Sequence, residues 1–67
     1  MIDIEKNFTY HAPTQSKISR YSEIRFLAKT LAELFEMNCP ESREKSLAMT
    51  KLEEAVMWAN AAIARNE

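Results

Sequence analysis

The last third of the chain, from Ser42 to Glu67, carries the clearest pattern of apolar and polar positions. Apolar residues recur there at alternating steps of four and three, which is the spacing of one face of an α-helix. The stripe comprises Ala48, Leu52, Ala55, Ala59 and Ala62, widened on one side by Met49, Val56 and Ile63. Because the stretch lacks Gly and Pro, we predict a helix over about residues 40–65 that another helix can approach closely.

A matching stripe lies earlier in the chain and predicts a first helix over about residues 18–37. Its apolar positions are Tyr21, Ile24, Ala28, Leu31 and Phe35. Ser16 or Ser19 is expected to cap its start, and Pro40 suits the first turn of the second helix. Because only Asn38 to Glu41 separate the helices, they must pack antiparallel. The predicted fold is all-α, an antiparallel helical hairpin in one domain of 67 residues, with the two stripes as its seam.

Residues 1–15 show a different pattern, with apolar residues at loosely alternating positions as far as Tyr10. Pro13 then interrupts any regular element, so we predict an extended arm followed by a turn. The sequence offers no second strand to pair with such an arm. Phe8 and Tyr10 therefore either pack on the helices or on another subunit, the commoner role of aromatic side chains, or stack on a ligand.

One hairpin cannot cover all the apolar residues of the chain. Leu47, Met57 and Trp58 lie off the stripe of the second helix, and Phe26 projects from the first helix on the side opposite Ala28. A chain of 67 residues also seldom buries enough apolar surface to be stable alone, and its single cysteine excludes an internal disulfide. We therefore expect a homo-oligomer.

The overall charge and the terminal sequence restrict the possible partners. A net charge of −1 argues against binding of duplex nucleic acid, because duplex-binding proteins usually carry a clear basic excess. The amino terminus lacks a signal-peptide pattern, and no apolar run reaches membrane-spanning length. The lone Cys39 excludes a multi-cysteine zinc site and suits a reducing compartment. These features indicate a soluble intracellular protein with no membrane partner.

The sequence contains no set of residues that indicates catalysis. His11 is the only histidine and has no second histidine or cysteine near it in sequence, which argues against a metal or catalytic site. Glu53 and Glu54 are adjacent on a helix, so their side chains diverge and do not form a carboxylate pair. Glycine is absent, which excludes a glycine-rich phosphate loop. We predict a protein that is not an enzyme and uses no cofactor or metal.

Arg25 and Lys29 are candidates for binding an anionic ligand. Their spacing of four puts both cations on one flank of the first helix, next to Ser22, where they could hold a phosphate. The simpler alternative, which the sequence alone favours, is a solvated face on which Lys29 pairs with Glu33. An aromatic ring such as that of Tyr10, combined with a cation for the phosphate, is the usual arrangement for nucleotide recognition.

Three segments together resemble a known family: FTYHAP, RYSEIRFLAKTLAEL and CPESREKSLAMTKLEEAVMWANAAIARNE. From Phe8 onward the chain closely resembles small phage proteins that act as sponges for cyclic oligonucleotides and counter the bacterial CBASS defence. Their carboxy-terminal hairpin is shared with phage sponges that counter Thoeris defence. The resemblance implies hexamers of helical hairpins that bind cyclic dinucleotides between protomers and release them unhydrolysed. It also implies separate cyclic trinucleotide pockets in some members and immune evasion in the cytoplasm of the infected bacterium.

The resemblance also suggests site residues. Tyr10 matches the tyrosine that stacks on a base, and Arg25 or Lys29 matches a basic residue early in the first helix. We expect both cations to contact phosphate, with His11 and Ser22 as neighbouring candidates. The candidates for the second pocket are Arg65, Asn60 and Thr30.

Two alternative functions remain open at this stage. The protein could instead bind a cyclic ADP-ribose isomer produced by Thoeris defence. It could also be a structural or protein-interaction module whose exposed Phe26, Met57 and Trp58 bind a helix of a host protein. Titration with cyclic oligonucleotides distinguishes these alternatives from the leading hypothesis.

Overall fold

The computed structural model describes residues 3–9 and 13–66, which form three α-helices and no β-strand. The helices are α1 (Ile4–Phe8), α2 (Gln15–Asn38) and α3 (Arg43–Asn66). The two long helices, α2 and α3, pack against each other across the short connection of residues 39–42. The prediction of an all-α fold is confirmed, and the long pair has the arrangement of a helical hairpin.

A threonine cap sets the start of α2. Thr14 Oγ1 accepts a hydrogen bond from the backbone N–H of Lys17 at 3.2 Å, and the helix begins at Gln15. The expectation that Ser16 or Ser19 caps this helix is therefore wrong, because both serines lie inside the helix. The helix begins at Gln15, before residue 18, where the apolar stripe predicted its start.

A serine hydroxyl has the equivalent position before α3. Ser42 Oγ accepts a hydrogen bond from the backbone N–H of Lys45 at 3.1 Å, immediately before the helix begins at Arg43. The prediction that Pro40 lies in the first turn of this helix is therefore wrong, because Pro40 lies in the connection before it. The capping hydroxyl fixes the helix start beyond the proline.

The amino-terminal arm is not extended throughout, contrary to the expectation from its alternating pattern. Ile4–Phe8 forms the short helix α1, which begins with Asp3 as its cap. Asp3 Oδ1 accepts a hydrogen bond from the backbone N–H of Lys6 at 3.0 Å. This bond satisfies one of the donors that a helix start leaves without a partner, and it favours the helical turn. Ile4 and Phe8 remain mostly exposed.

Lys45 links the end of α2 to the start of α3. Its Nζ lies 3.2 Å from Glu36 Oε2 on α2 and also pairs with the carboxylate of Glu41 in the connection. The hydrogen bond to Glu41 is the main reason why the pKa of Lys45 is raised above 10.5, although partial burial acts in the opposite direction. Lys45 is only 8% exposed. Its partners belong to the end of α2 and to the connection, so these contacts lie at the closed end of the hairpin.

The seam between α2 and α3 follows the predicted stripes only in part. Its half-buried positions include Tyr21, Ile24, Ala28, Ala32 and Phe35 on α2, and Ala48, Met49, Leu52, Val56, Ala59 and Ile63 on α3. Leu31, Ala55 and Ala62 are exposed, although we predicted them in the seam. The contact face of α3 is rotated toward Val56 and Ile63, because these side chains bury more apolar surface than alanines do.

No hydrophobic residue in the described ranges is buried within a single hairpin. Several large apolar side chains are instead exposed, among them Phe26, Met37, Leu47, Met57 and Trp58. Two packed helices form a layer without an interior, and a chain of this length then lacks the core that usually stabilises a separate domain.

Candidate functional site

A groove of about 430 Å³ lies between α2 and α3 in the middle of the hairpin. It is lined by Arg25, Ala28, Lys29 and Ala32 of α2, and by Leu52, Glu53, Val56 and Met57 of α3. Its volume falls in the range of roughly 300–1,000 Å³ that is usual for small-molecule sites. The lining surface is mostly apolar, with charged side chains from both helices.

The groove follows from the small residues that α2 contributes to the seam. Ala28 and Ala32 are four residues apart, so they lie one above the other on the same helical face. Their methyl groups leave space opposite the larger Leu52 and Val56. The sequence therefore produces an open apolar floor where larger residues on α2 would close the seam.

Arg25 and Lys29 provide the positive charge of the groove. Both side chains are exposed and project from the wall formed by α2. The Arg25 guanidinium donates a hydrogen bond to Ser22 Oγ at 3.4 Å, which leaves most of its five donors available. Lys29 forms no ion pair with Glu33 or with any other described residue, so the pairing that the simpler alternative required is absent. Two cations are thus free to bind an anion.

Glu53 provides a negative charge on the opposite wall. Its side chain lines the groove, and within the described ranges it takes part in no ion pair. The neighbouring Glu54 does not line the groove and approaches Lys51 on its own helix at 3.9 Å. We did not single out Glu53 or Met57 as ligand residues from the sequence. The available signal was helical spacing, because Glu53 lies three residues before Val56 and four before Met57.

The residues predicted for the first ligand site are only partly brought together. Arg25 and Lys29 share the groove, and Ser22 contacts Arg25 without lining it. Tyr10 and His11 lie outside the described residues, so their predicted roles stay predictions.

The residues predicted for the second pocket do not line the groove. Thr30 is exposed in the middle of α2, where its Oγ1 donates a hydrogen bond to the carbonyl oxygen of Phe26 at 3.1 Å. Asn60 and Arg65 are half-buried near the end of α3. Thr30 therefore stands at a different level of the hairpin from the other two, and their joint role stays a prediction.

Asn60 carries an unusual polar atom. Its Oδ1 is shielded from solvent and has no hydrogen-bond partner among the described residues. A buried acceptor without a partner costs about 1–3 kcal/mol, so such atoms normally find a donor in the functional state of a protein. Water, a ligand or a protein group outside the described residues could supply this donor.

The arrangement of the groove is suited to binding. It combines an apolar floor with two cations and one carboxylate, which matches a ligand that has flat apolar parts, negative charge and hydrogen-bond donors. Within residues 3–9 and 13–66, no three His, Cys, Asp or Glu side chains are grouped as a metal site would require. The described helices also include none with the length and apolar character needed to cross a bilayer.

Comparison with protein families identifies the chain. Residues 1–64 match the model of the family described as Acb2/Tad1, hairpin domain. No match was found among curated proteins or among solved structures. The family match spans nearly the whole chain, including both long helices and the groove between them. The chain therefore belongs to the Acb2/Tad1 hairpin-domain family of phage sponges for cyclic nucleotide signals.

Proposed function

We propose that this protein binds cyclic dinucleotide messengers of bacterial CBASS defence and sequesters them without hydrolysis. The observation that carries the proposal is the groove in which Arg25 and Lys29 stand over an apolar floor and form no ion pair with any described residue. The family match supports a cyclic nucleotide ligand, and the groove chemistry supports an anionic one. The protein acts in the cytoplasm of the infected host cell, where these messengers are made.

The groove suits the chemistry of a cyclic dinucleotide. Arg25 can form paired hydrogen bonds with phosphate oxygens, whereas Lys29 contributes a compact positive charge. The bases can lie on the apolar surface of Val56 and Met57, and the ring of Tyr10 is proposed to cover one of them. Sequestration requires affinity and enough protein copies but no turnover, so the proposal requires no catalytic group.

We further propose that the functional unit is a homo-oligomer, a hexamer by family resemblance. The exposed Phe26, Trp58 and Met37 provide apolar surface for contacts between hairpins. In such an assembly the ligand sites lie between protomers, and a neighbouring chain completes each groove. Asn60, Arg65 and Thr30 are proposed to form a second pocket for cyclic trinucleotides, in which a ligand or neighbouring chain supplies the missing partner of Asn60 Oδ1.

The closest alternative is a sponge for the cyclic ADP-ribose isomer of Thoeris defence. The same family match supports it, because the hairpin domain is common to both kinds of sponge. A purely structural module is a third possibility, supported by the exposed Phe26, Met57 and Trp58. The cyclic dinucleotide proposal and its alternatives differ in the ligand that each requires.

Isothermal titration of the purified protein tests the proposal. The panel comprises 3′,3′-cyclic GMP-AMP, cyclic di-GMP, cyclic di-AMP, a cyclic trinucleotide and a cyclic ADP-ribose isomer. We expect saturable binding of cyclic dinucleotides, and intact ligand should be recovered after the complex is heated. Hydrolysed ligand would contradict sequestration, and binding of the ADP-ribose isomer alone would favour the Thoeris alternative. Absence of heat with every ligand would leave only the structural module.

A further inference from the structure

We propose that Glu53 selects the base of the bound nucleotide and that its carboxylate recognises guanine. This inference rests on the proposed function, since it assumes that a cyclic dinucleotide occupies the groove. It concerns recognition of the base and not binding of the phosphate. Arg25 and Lys29 hold the phosphate whatever the base is, whereas Glu53 forms hydrogen bonds with the base. Glu53 therefore determines specificity and not the ability to bind phosphate.

The first step of the argument is the charge arrangement of the groove. Arg25 and Lys29 come from α2, whereas Glu53 comes from α3, so charges of opposite sign line the two walls. A site for phosphate alone gains nothing from a carboxylate, which repels the ligand. A carboxylate that remains outside every ion pair of the described residues is instead available as a hydrogen-bond acceptor.

The second step is the chemistry of the bases. An ionised carboxylate only accepts hydrogen bonds, and it pairs best with two donors that lie side by side in one plane. The Watson–Crick edge of guanine presents such a pair, the ring N1–H and the exocyclic N2 amine. The edges of adenine and cytosine each pair one amine with a ring acceptor, and uracil places a carbonyl on each side of its single N–H. A carboxylate at this position therefore attracts guanine and repels an acceptor of each other base.

The third step is the position of Glu53 relative to the apolar floor. Val56 and Met57 follow it by three and four residues, so all three occupy neighbouring positions on one side of α3. A base that lies on the side chains of Val56 and Met57 can therefore direct its edge toward the carboxylate of Glu53. The Met57 thioether also makes favourable contacts with aromatic rings. The base then contacts α3 while its phosphate faces the cations of α2.

Titration of three proteins tests the inference: the wild type, Glu53→Gln and the matched control Glu54→Gln. Each is titrated with cyclic di-GMP, 3′,3′-cyclic GMP-AMP and cyclic di-AMP. We expect the wild type to prefer the guanine-containing ligands. Glu53→Gln should weaken cyclic di-GMP binding roughly tenfold to a hundredfold and leave cyclic di-AMP binding equal or tighter, since an amide can pair with adenine. Glu54→Gln should match the wild type, because Glu54 lies outside the groove.

The outcomes separate this inference from the proposed function. If Glu53→Gln keeps the wild-type order and ratio of affinities, the inference is wrong while the sponge function stands. A wild type that binds all three ligands with similar affinity leads to the same conclusion. A wild type that binds no cyclic dinucleotide overturns the proposed function and this inference together. Circular dichroism and size-exclusion chromatography confirm that each variant keeps the fold and assembly of the wild type.

Discussion

The Nζ atom of Lys45 on α3 lies 3.2 Å from Oε2 of Glu36 on α2, across the closed end of the hairpin. Lys45 also donates a hydrogen bond to the backbone carbonyl oxygen of Glu36 at 3.4 Å and pairs with Glu41 in the connection. One side chain therefore contacts α2 and the connection that leads to its own helix. Lys45 therefore connects the two long helices at the closed end of the hairpin.

Replacement of Lys45 with Met tests this link. The change keeps much of the apolar stem but removes the ammonium group, so three contacts to Glu36 and Glu41 are lost. We expect the thermal midpoint to fall by a few degrees, measured by circular dichroism. Lys51→Met is the control, because Lys51 is 71% exposed and its contact with Glu54 is long at 3.9 Å. Equal midpoints for the two variants would show that the Lys45 contacts stabilise the fold no more than the exposed Lys51 contact does.

The raised pKa of Lys45 predicts how stability changes in alkaline solution. Because the folded protein holds the proton more tightly than the unfolded chain, this contribution is fully present below pH 10.5. It is lost as the pH rises through the raised pKa. We expect the difference in midpoint between wild type and Lys45→Met to stay constant between neutral pH and pH 10.5 and to shrink as the pH rises further. A difference that grows with pH would contradict the assigned direction.

Arg25→Ala and Lys29→Ala test the cations of the groove. Each change removes one of the proposed charged contacts to phosphate, so we expect cyclic dinucleotide affinity to fall roughly tenfold to a hundredfold, measured by isothermal titration. Affinity should also decline as salt concentration rises, and less steeply in either variant. Lys51→Ala serves as the control, since Lys51 does not line the groove. Unchanged affinity in both groove variants would remove the phosphate site from this location.

Phe26→Glu tests the proposed assembly of hairpins. Phe26 is 68% exposed and does not line the groove, so a new charge there should disrupt the proposed contacts between chains and leave the lining of the groove unchanged. Met57 is less suitable for this purpose, because the structure places it in the groove. We expect light scattering to show a smaller species and titration to show weaker dinucleotide binding. The control Ser46→Glu changes an exposed polar position. A proven monomer with full affinity would contradict a site shared between protomers.

The sequence predicts the elements of this fold better than their relative position. The periodic apolar stripes indicated two long helices, because helical spacing is a local property of the chain. The rotation of the seam toward Val56 and Ile63, away from Ala55 and Ala62, depends on which side chains bury most against the facing helix. The predicted stripe already had Val56 and Ile63 along one side, but its spacing alone does not reveal that the facing helix packs on that side.

The candidate site was predictable on α2 but not on α3. Arg25 and Lys29 stood out because their spacing places two like charges on one helical flank. Glu53 became relevant only when the register of the hairpin put it opposite them. The short helix α1 was missed for a similar reason, since the cap from Asp3 is a single hydrogen bond that an alternating apolar pattern obscures.

Among the described residues no apolar side chain is buried within one hairpin, so the proposed assembly would make the persistence of this protein depend on its concentration. In the proposed homo-oligomer, contacts between chains would supply the hydrophobic stabilisation that one hairpin lacks, so folding and association would reinforce each other by mass action. Dilute chains are then open to proteolysis, whereas concentrated chains protect one another. Such a dependence would suit the proposed sequestration of a messenger, because sequestration also requires many copies of the protein.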